Sequence, residues 1–502
     1  MTSVGKSMFP MGSSASLIST MKARYSKLQQ QLATGQRSAN LAEMGSARFF
    51  DLSMRTRLSR IDGYGEVMKT VGLRLEILDH AVTRLSEIQS TQRTSVTPGA
   101  YGTGNINFST TPSLAHARFD EVMTLLNSEV GGRYLFSGGK TDTKAVVSAT
   151  VAMDGEAGRA GFRTVADQRR VAGLGAAGLG RLTVTPATNT VTLAEDGAHP
   201  FGFKLSTLST TSPNITLTQP GGGPPPSGSF AFSTASLPVE GETVTIALSM
   251  PDGTQTAVTL TAVAGAPKLG EFQIGADGDA TAANFAAALE DVLQETASTK
   301  LAAASIYAAA ANFFNGQGQP VMRVDGPPYD TATALVAGTP ADTVFWYAGE
   351  DSTDARATVN AKVDDGTTVE YGVQANESGI VRLVQTLAAM AVAVYPNGDP
   401  SAPGRFDAMA ERQIDRLSEA HTNTAGSIGV ISVELALAKT TMGYTGDRQS
   451  LHKIQLEGML ADIETIPPEE VSMEILALKT RLEASYETIA LVAQLSLVHY
   501  LP

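Results

Sequence analysis

The chain has 502 residues, 42% of them hydrophobic, a net charge of −13 and no cysteine. That is enough for about three folded domains, and it excludes disulfides, thiolate metal sites and cysteine nucleophiles together. The negative balance excludes a basic footprint for nucleic acid, and no apolar run is long enough to cross a bilayer.

The opening stretch "MTSVGKSMFPMGSSASLIST" lacks the positive-then-apolar layout of a cleaved secretory signal. The expectation is therefore residence in the cytosol or export by a route that uses no such signal. Ile18, Met21, Tyr25, Leu28 and Leu32 step alternately by three and four residues, the spacing of a coiled-coil seam. Thr34-Gly35 interrupts it. The spacing then predicts a second helix from about Ala47 to about Ser95. In it Met54, Ile61, Met68, Leu75 and Val82 recur every seven residues, with Tyr64, Val71, Leu78 and Leu85 in a parallel series. A third amphipathic helix is predicted over Leu114–Val130.

"GGRYLFSGGKTDT" follows, residues 131–143, and its Gly139-Lys140-Thr141 resembles the end of a phosphate-binding loop. The full pattern needs a glycine where Tyr134 stands, and a strand before the loop with a helix after it. The stretch reads instead as a boundary. Gly131 and Gly132 are expected to stop the helix, with Arg133, Tyr134, Phe136 and Gly138 forming the handover and Tyr134, Leu135 and Phe136 packing against the helix end.

Residues 144–400 have a strand-and-turn texture rich in Gly, Ala and Thr, with a single tryptophan, and read as a β-rich region with little aromatic core. Glu242–Val263 alternates and turns at Pro251-Asp252-Gly253-Thr254, and Ala357–Ala375 repeats the device around Asp364-Asp365-Gly366. "GGGPPPSG" at 221–228 is a loop. Two short helices are predicted, Thr281–Thr296 and Lys300–Phe314. The carboxylates of Glu350, Asp351, Asp354, Asp364 and Asp365 fall in turns, where they are ordinarily solvated. The six histidines are scattered singly, without metal-ligand spacing. With no nucleophile–base pair in sight, no enzyme activity, cofactor or metal is expected.

Near the C-terminal end, Ile428, Ile431, Leu435, Ala438 and Met442 restore a helical seam. A polar interval at Thr445, Gln449 and His452 precedes Leu456, Met459 and Ile463. Pro467-Pro468 breaks the helix, and a last one carries Val471, Ile475, Leu478, Leu482, Ile489 and Val492 on one stripe. Isolated helices of this length are marginal in water. The outer pair needs a partner, either each other or neighbouring subunits. The fold class expected is α+β: a long coiled-coil rod formed by both chain ends, with a β-rich insert in the middle. Residues 1–40 and 468–502 are the inner terminal helices, 41–143 and 401–467 the paired rod, and 144–400 the insert.

"QLATGQR" (31–37), "NSEVGGRYLFSGGKTDT" (127–143) and "RLEASYETIALVAQLSLVHYL" (481–501) resemble the ends of bacterial flagellins and their hook–filament junction relatives, the third hook-associated proteins. "FWYAGEDST" (345–353) and "VEYGVQANE" (369–377) are similar to inserts of the junction group. The sequence departs from that pattern at its start and at "SANLAEMGSA" after "ATGQR", where Asp-Asp-Pro is usual. The resemblance implies an extracellular structural subunit of the flagellum, exported unfolded through a type III channel without a cleaved signal. It implies a homo-oligomer in a helical tube, with another hook-associated protein below and flagellin above, and neither nucleic-acid binding nor membrane insertion. The filament subunit itself, flagellin, is the alternative. In either case Ile18, Met21, Tyr25, Leu28 and Leu32 would form the assembly seam with the stripe of the last helix.

Overall fold

The computed structural model describes residues 9–100, 110–221, 223–316, 319–396 and 398–498, with the backbone alone at 9–14, 98–100 and 492–498. Helices α1 (Phe9–Thr34), α2 (Ala47–Ala100) and α3 (Thr110–Leu125) open the chain. A hairpin of β1 (Glu129–Val130) and β2 (Arg133–Tyr134) precedes α4 (Ala149–Asp154) and α5 (Phe162–Leu174). Eight strands follow: β3 (Leu182–Ala187), β4 (Thr190–Glu195), β5 (Lys204–Thr210), β6 (Ile215–Thr218), β7 (Ser227–Phe232), β8 (Thr243–Ser249), β9 (Gln255–Val263) and β10 (Glu271–Gln273). Helix α6 (Gly278–Thr296) runs through a π-helical turn, Ala297–Leu301, into α7 (Ala302–Phe313). Short strands β11 (Met322–Val324), β12 (Leu335–Ala337), β13 (Asn360–Lys362) and β14 (Thr368–Glu370) lead to α8 (Ser378–Ala391), α9 (Ala402–Arg416), α10 (Ile428–Glu464) and α11 (Pro468–Val498). At 52% helix and 16% strand the class is α+β.

Packing divides the chain into two units. One holds Met1–Thr70, Lys362–Thr368 and Thr440–Pro502, the other Val71–Ala361 and Val369–Lys439. The division falls inside α2 and α10, not at the composition shifts near residues 40, 143 and 400. A continuous helix hides such a boundary, because its local periodicity does not change where its neighbours do.

In the larger unit, two four-stranded sheets run β3-β4-β7-β6 and β10-β9-β8-β5. Both place their apolar faces in one core with α6. Val244, Ile246 and Leu248 alternate inward on β8, Val258, Leu260 and Ala262 on β9, and Ala282, Phe285, Leu289 and Leu293 line the buried stripe of α6. The β8–β9 hairpin turns where the sequence predicts, with Ser249 paired to Gln255. Its tip is fastened to α9: the buried Arg412 donates from Nε to Asp252 at 2.7 Å and from a terminal nitrogen to Thr254 at 3.1 Å.

Two features of this region depart from the sequence reading. The core is aromatic, not small-residue. Phe230, Phe232 and Phe272 surround Phe285 with ring centroids 5.0–5.3 Å away. A second cluster joins Phe119, Phe162, Phe313, Phe314 and the lone Trp346, all buried. The region is also more helical than expected, since α4, α5 and α8 were read as part of the strand texture. Helix α8 is buried along most of its length, from Ile380 to Met390, and its short polar line of Arg382, Gln385 and Thr386 is easily lost in the surrounding strand texture.

In the smaller unit, α1 packs on α11. The N-terminal part of α2 lies antiparallel to the C-terminal part of α10, with Arg55 paired to Glu464 and Asp62 to Lys453 at 2.6 Å. Pro468 opens α11, where its missing N–H costs nothing, and Glu469 and Glu470 sit in the first turn at the positive end of the helix dipole.

Candidate assembly surfaces

The predicted seam residues are largely brought together. Leu28, Val471 and Leu478 are buried in one cluster, with Met21, Tyr25, Ile475, Leu482 and the unforeseen Ile466 partly buried around them. Ile18 and Ile489 are half-covered. Leu32 is not in the seam: it is 42% exposed. The chain turns at Gly35, where Ile466 N–H bonds the Gly35 carbonyl, and Gln31 is used there instead, donating to the Arg37 carbonyl at 2.5 Å. Val492 lies outside the described side chains. The pair is helped at its rim by Arg24 with Glu474, 3.3 Å apart, and by Lys22 over the Tyr486 ring. Exposed pairs of this kind each contribute at most about 1 kcal/mol.

The same helices carry large apolar side chains that are exposed among the described residues. Leu17 on α1, and Met473, Leu476, Tyr486 and Leu491 on α11, are exposed. On α10, Leu437, Tyr444 and Leu451 recur every seven residues with Ile454 beyond, and Tyr444 is 74% exposed. Phe49, at the start of α2, is 76% exposed. Scattered single apolar side chains are ordinary on a surface, but a periodic row is an interaction face. This second row lies off the buried face of α10 that the three–four spacing marks, although its seven-residue repeat is legible in the sequence.

The polar interval of α10 has a specific partner. Thr445 and Gln449 are buried on the same face as Leu435 and Ala438. Gln449 donates from Nε2 to the Val363 carbonyl at 2.7 Å. That carbonyl belongs to the β13–β14 turn, whose tip, Lys362–Thr368, is part of the smaller unit. Arg60 reaches Asp365 at 3.0 Å, the Tyr64 hydroxyl donates to Asp365 at 2.9 Å, and Arg448 pairs with Asp364. The Tyr64 and Arg60 hydrogen bonds hold Asp365 below the usual carboxylate range, and the Arg448 hydrogen bond does the same for Asp364. These two turn carboxylates are therefore clamped, not merely solvated as their turn position suggested.

The boundary residues behave differently from expectation. Helix α3 ends at Leu125, and Gly131 and Gly132 form the tip of the β1–β2 hairpin, not a helix stop. Both have positive φ, 60° and 77°, as a two-residue hairpin turn requires. Beyond Arg133 and Tyr134, Phe136 is fully buried and Gly138 lies against Glu350 and Gln374. Glu350 Oε2 accepts the Gly139 N–H at 2.7 Å. The amide that would face a phosphate in a nucleotide loop is thus occupied by a carboxylate. The preceding strand has two residues and no helix follows at Thr141, so the local structure is not a phosphate cradle.

Among the described residues no cluster of three or more His, Asp or Glu side chains is arranged to hold a metal, and no helix is long and apolar enough to cross a membrane. His199 is a packing residue: its ring stacks on Phe201, and Nε2 lies 2.5 Å from Asp196, which Arg181 holds from the other side at 2.7 Å. No protein-family model matches the sequence, and no curated protein matches it either.

Proposed function

We propose that this protein is a structural subunit of the bacterial flagellum, the junction protein that joins hook to filament and seeds filament growth. In this reading both chain ends form a helical rod, the central region is an insert directed outward, and copies of the chain stack in a helical tube. Export is through the flagellar type III channel, and the subunit carries out no catalytic step. The observation that carries the reading is the unequal use of the terminal helices: among the described residues α1 and α11 share a seam of three buried side chains while Leu17, Met473, Leu476 and Leu491 are exposed. A helix pair with that much apolar surface in water gains stability by packing against further copies.

Immunogold labelling of intact flagella tests it. Label confined to a short zone at the hook tip supports the junction assignment. Label along the whole filament supports flagellin instead, the reading favoured if filament length falls on deletion while hooks stay capped. Deletion of the junction protein leaves hooks bare and releases filament subunits into the medium. Label absent from flagella altogether overturns both.

A further inference from the structure

A cleft of about 370 Å³ in the larger unit is lined by the C-terminal half of α2, the start of α8, the end of α9 and the first turn of α10. Its charged lining is strongly one-sided. Arg93, Arg382 and Arg416 face it, with His421, and Glu419 is the only carboxylate among its lining residues. Glu419 is 92% exposed and meets Arg93 at only 3.7 Å, a loose pair. Such a cationic cleft is unusual on a chain of net charge −13.

The three guanidiniums are unequally employed. Arg416 lies over the Tyr307 ring and donates to Gln385 Oε1 at 2.7 Å, yet its Nε is buried with no acceptor. Arg382 has no hydrogen bond or ion pair from its side chain among the described residues. Burial, and after it the neighbouring charge of Arg416, hold its guanidinium below the ordinary arginine range, opposed only through space by Asp415. Both guanidiniums thus line the same cleft. Ser86 and Ser90 also line it, with Ile428 and Gly429 from the start of the 37-residue α10.

We propose that this cleft binds a phosphate-class oxyanion, held by Arg382 and Arg416 with Arg93 displaced from Glu419 to complete the cage. Guanidiniums match such oxyanions in geometry as well as charge. The volume exceeds that of inorganic phosphate alone, so a phosphorylated small molecule and the free anion are the two sources to separate. The inference does not depend on the flagellar reading.

The test uses the full chain in chloride-free buffer, with equilibrium dialysis of labelled inorganic phosphate and thermal melting in phosphate, in a hexose phosphate and in sodium chloride of matched ionic strength. Saturable phosphate binding is expected, with a melting rise that chloride does not reproduce. Arg382→Gln should weaken binding about tenfold or more. Without anion the same variant should melt at or above the parent temperature, because a like-charge neighbour has been removed. Arg382→Lys keeps the charge but not the fork and should bind at an intermediate level. Tighter binding of the hexose phosphate assigns the site to a phosphorylated metabolite; equal binding assigns it to free phosphate. Absence of binding to the parent chain overturns the proposal, as does an equal response to chloride. So does a change confined to self-association in Arg382→Gln, which would make the cleft a contact between copies.

Discussion

The core beneath the two sheets and the seam between α1 and α11 are built from the same residue types but to different depths. The first gathers twenty-four buried side chains from strands and helices far apart in sequence. Among the described residues the second has three, all on two helices. Each fully buried apolar side chain contributes about 1.5–3 kcal/mol, so the sheet core can hold itself together while the seam is marginal without further partners. The comparison locates stability in the centre of the chain and leaves the ends dependent on their surroundings.

The most damaging way to probe that contrast is Phe285→Ala, which empties the space between three other phenylalanines. It should cost about 3–5 kcal/mol, read as a fall in the main melting transition while α1 and α11 keep their helicity by local probes. Unchanged melting would mean the aromatic cluster is not the centre of the core. Leu478→Ala is the converse. It should cost about 2 kcal/mol, appear as faster proteolysis of both terminal helices, and leave the main transition in place. If both regions respond together, they form one cooperative block and the contrast fails.

A smaller effect concerns pH. Glu464 is held above the ordinary glutamate range, first by burial and then by its hydrogen bond with Asp51, with Arg55 opposing. A raised carboxyl in the folded state contributes stability that is complete below its unfolded value and is lost as pH rises through the folded one. Hydrogen exchange near Asp51 and Glu464 should therefore quicken as pH climbs just past the usual glutamate range. Glu464→Gln, which keeps a donor for Asp51, should flatten that dependence. A variant with the parent's pH profile would remove Glu464 as its source.

Much of the fold was readable from spacing. The heptads of α2 place Val71, Leu75, Leu78, Val82 and Leu85 in buried positions, and the Pro-Asp-Gly-Thr and Asp-Asp-Gly turns mark hairpins that form. What escaped had physical reasons. Helix α8 carries Arg382, Gln385 and Thr386 at helical spacing, a short signal lost in the strand-and-turn texture around it. The pairing of β5 with β8 skips two strands and joins residues roughly forty apart, which no local pattern announces. The glycines at 131 and 132 advertised a left-handed backbone correctly, but that conformation serves a hairpin tip as well as a helix end. Of the seam, the burial of Leu28 and Leu478 followed from the three–four step. The exposure of Leu32 followed from a chain reversal the step could not see.

The buried Gln449 has one more consequence. An uninterrupted apolar row on α10 would let it slide along α2 by a heptad, about 10 Å, and still find grease against grease. Gln449 can meet the Val363 carbonyl in one position only, and Arg448 and Arg60 can grip the two aspartates only there. The hairpin tip is a pawl: it sets the alignment of the N-terminal part of α2 and the C-terminal part of α10.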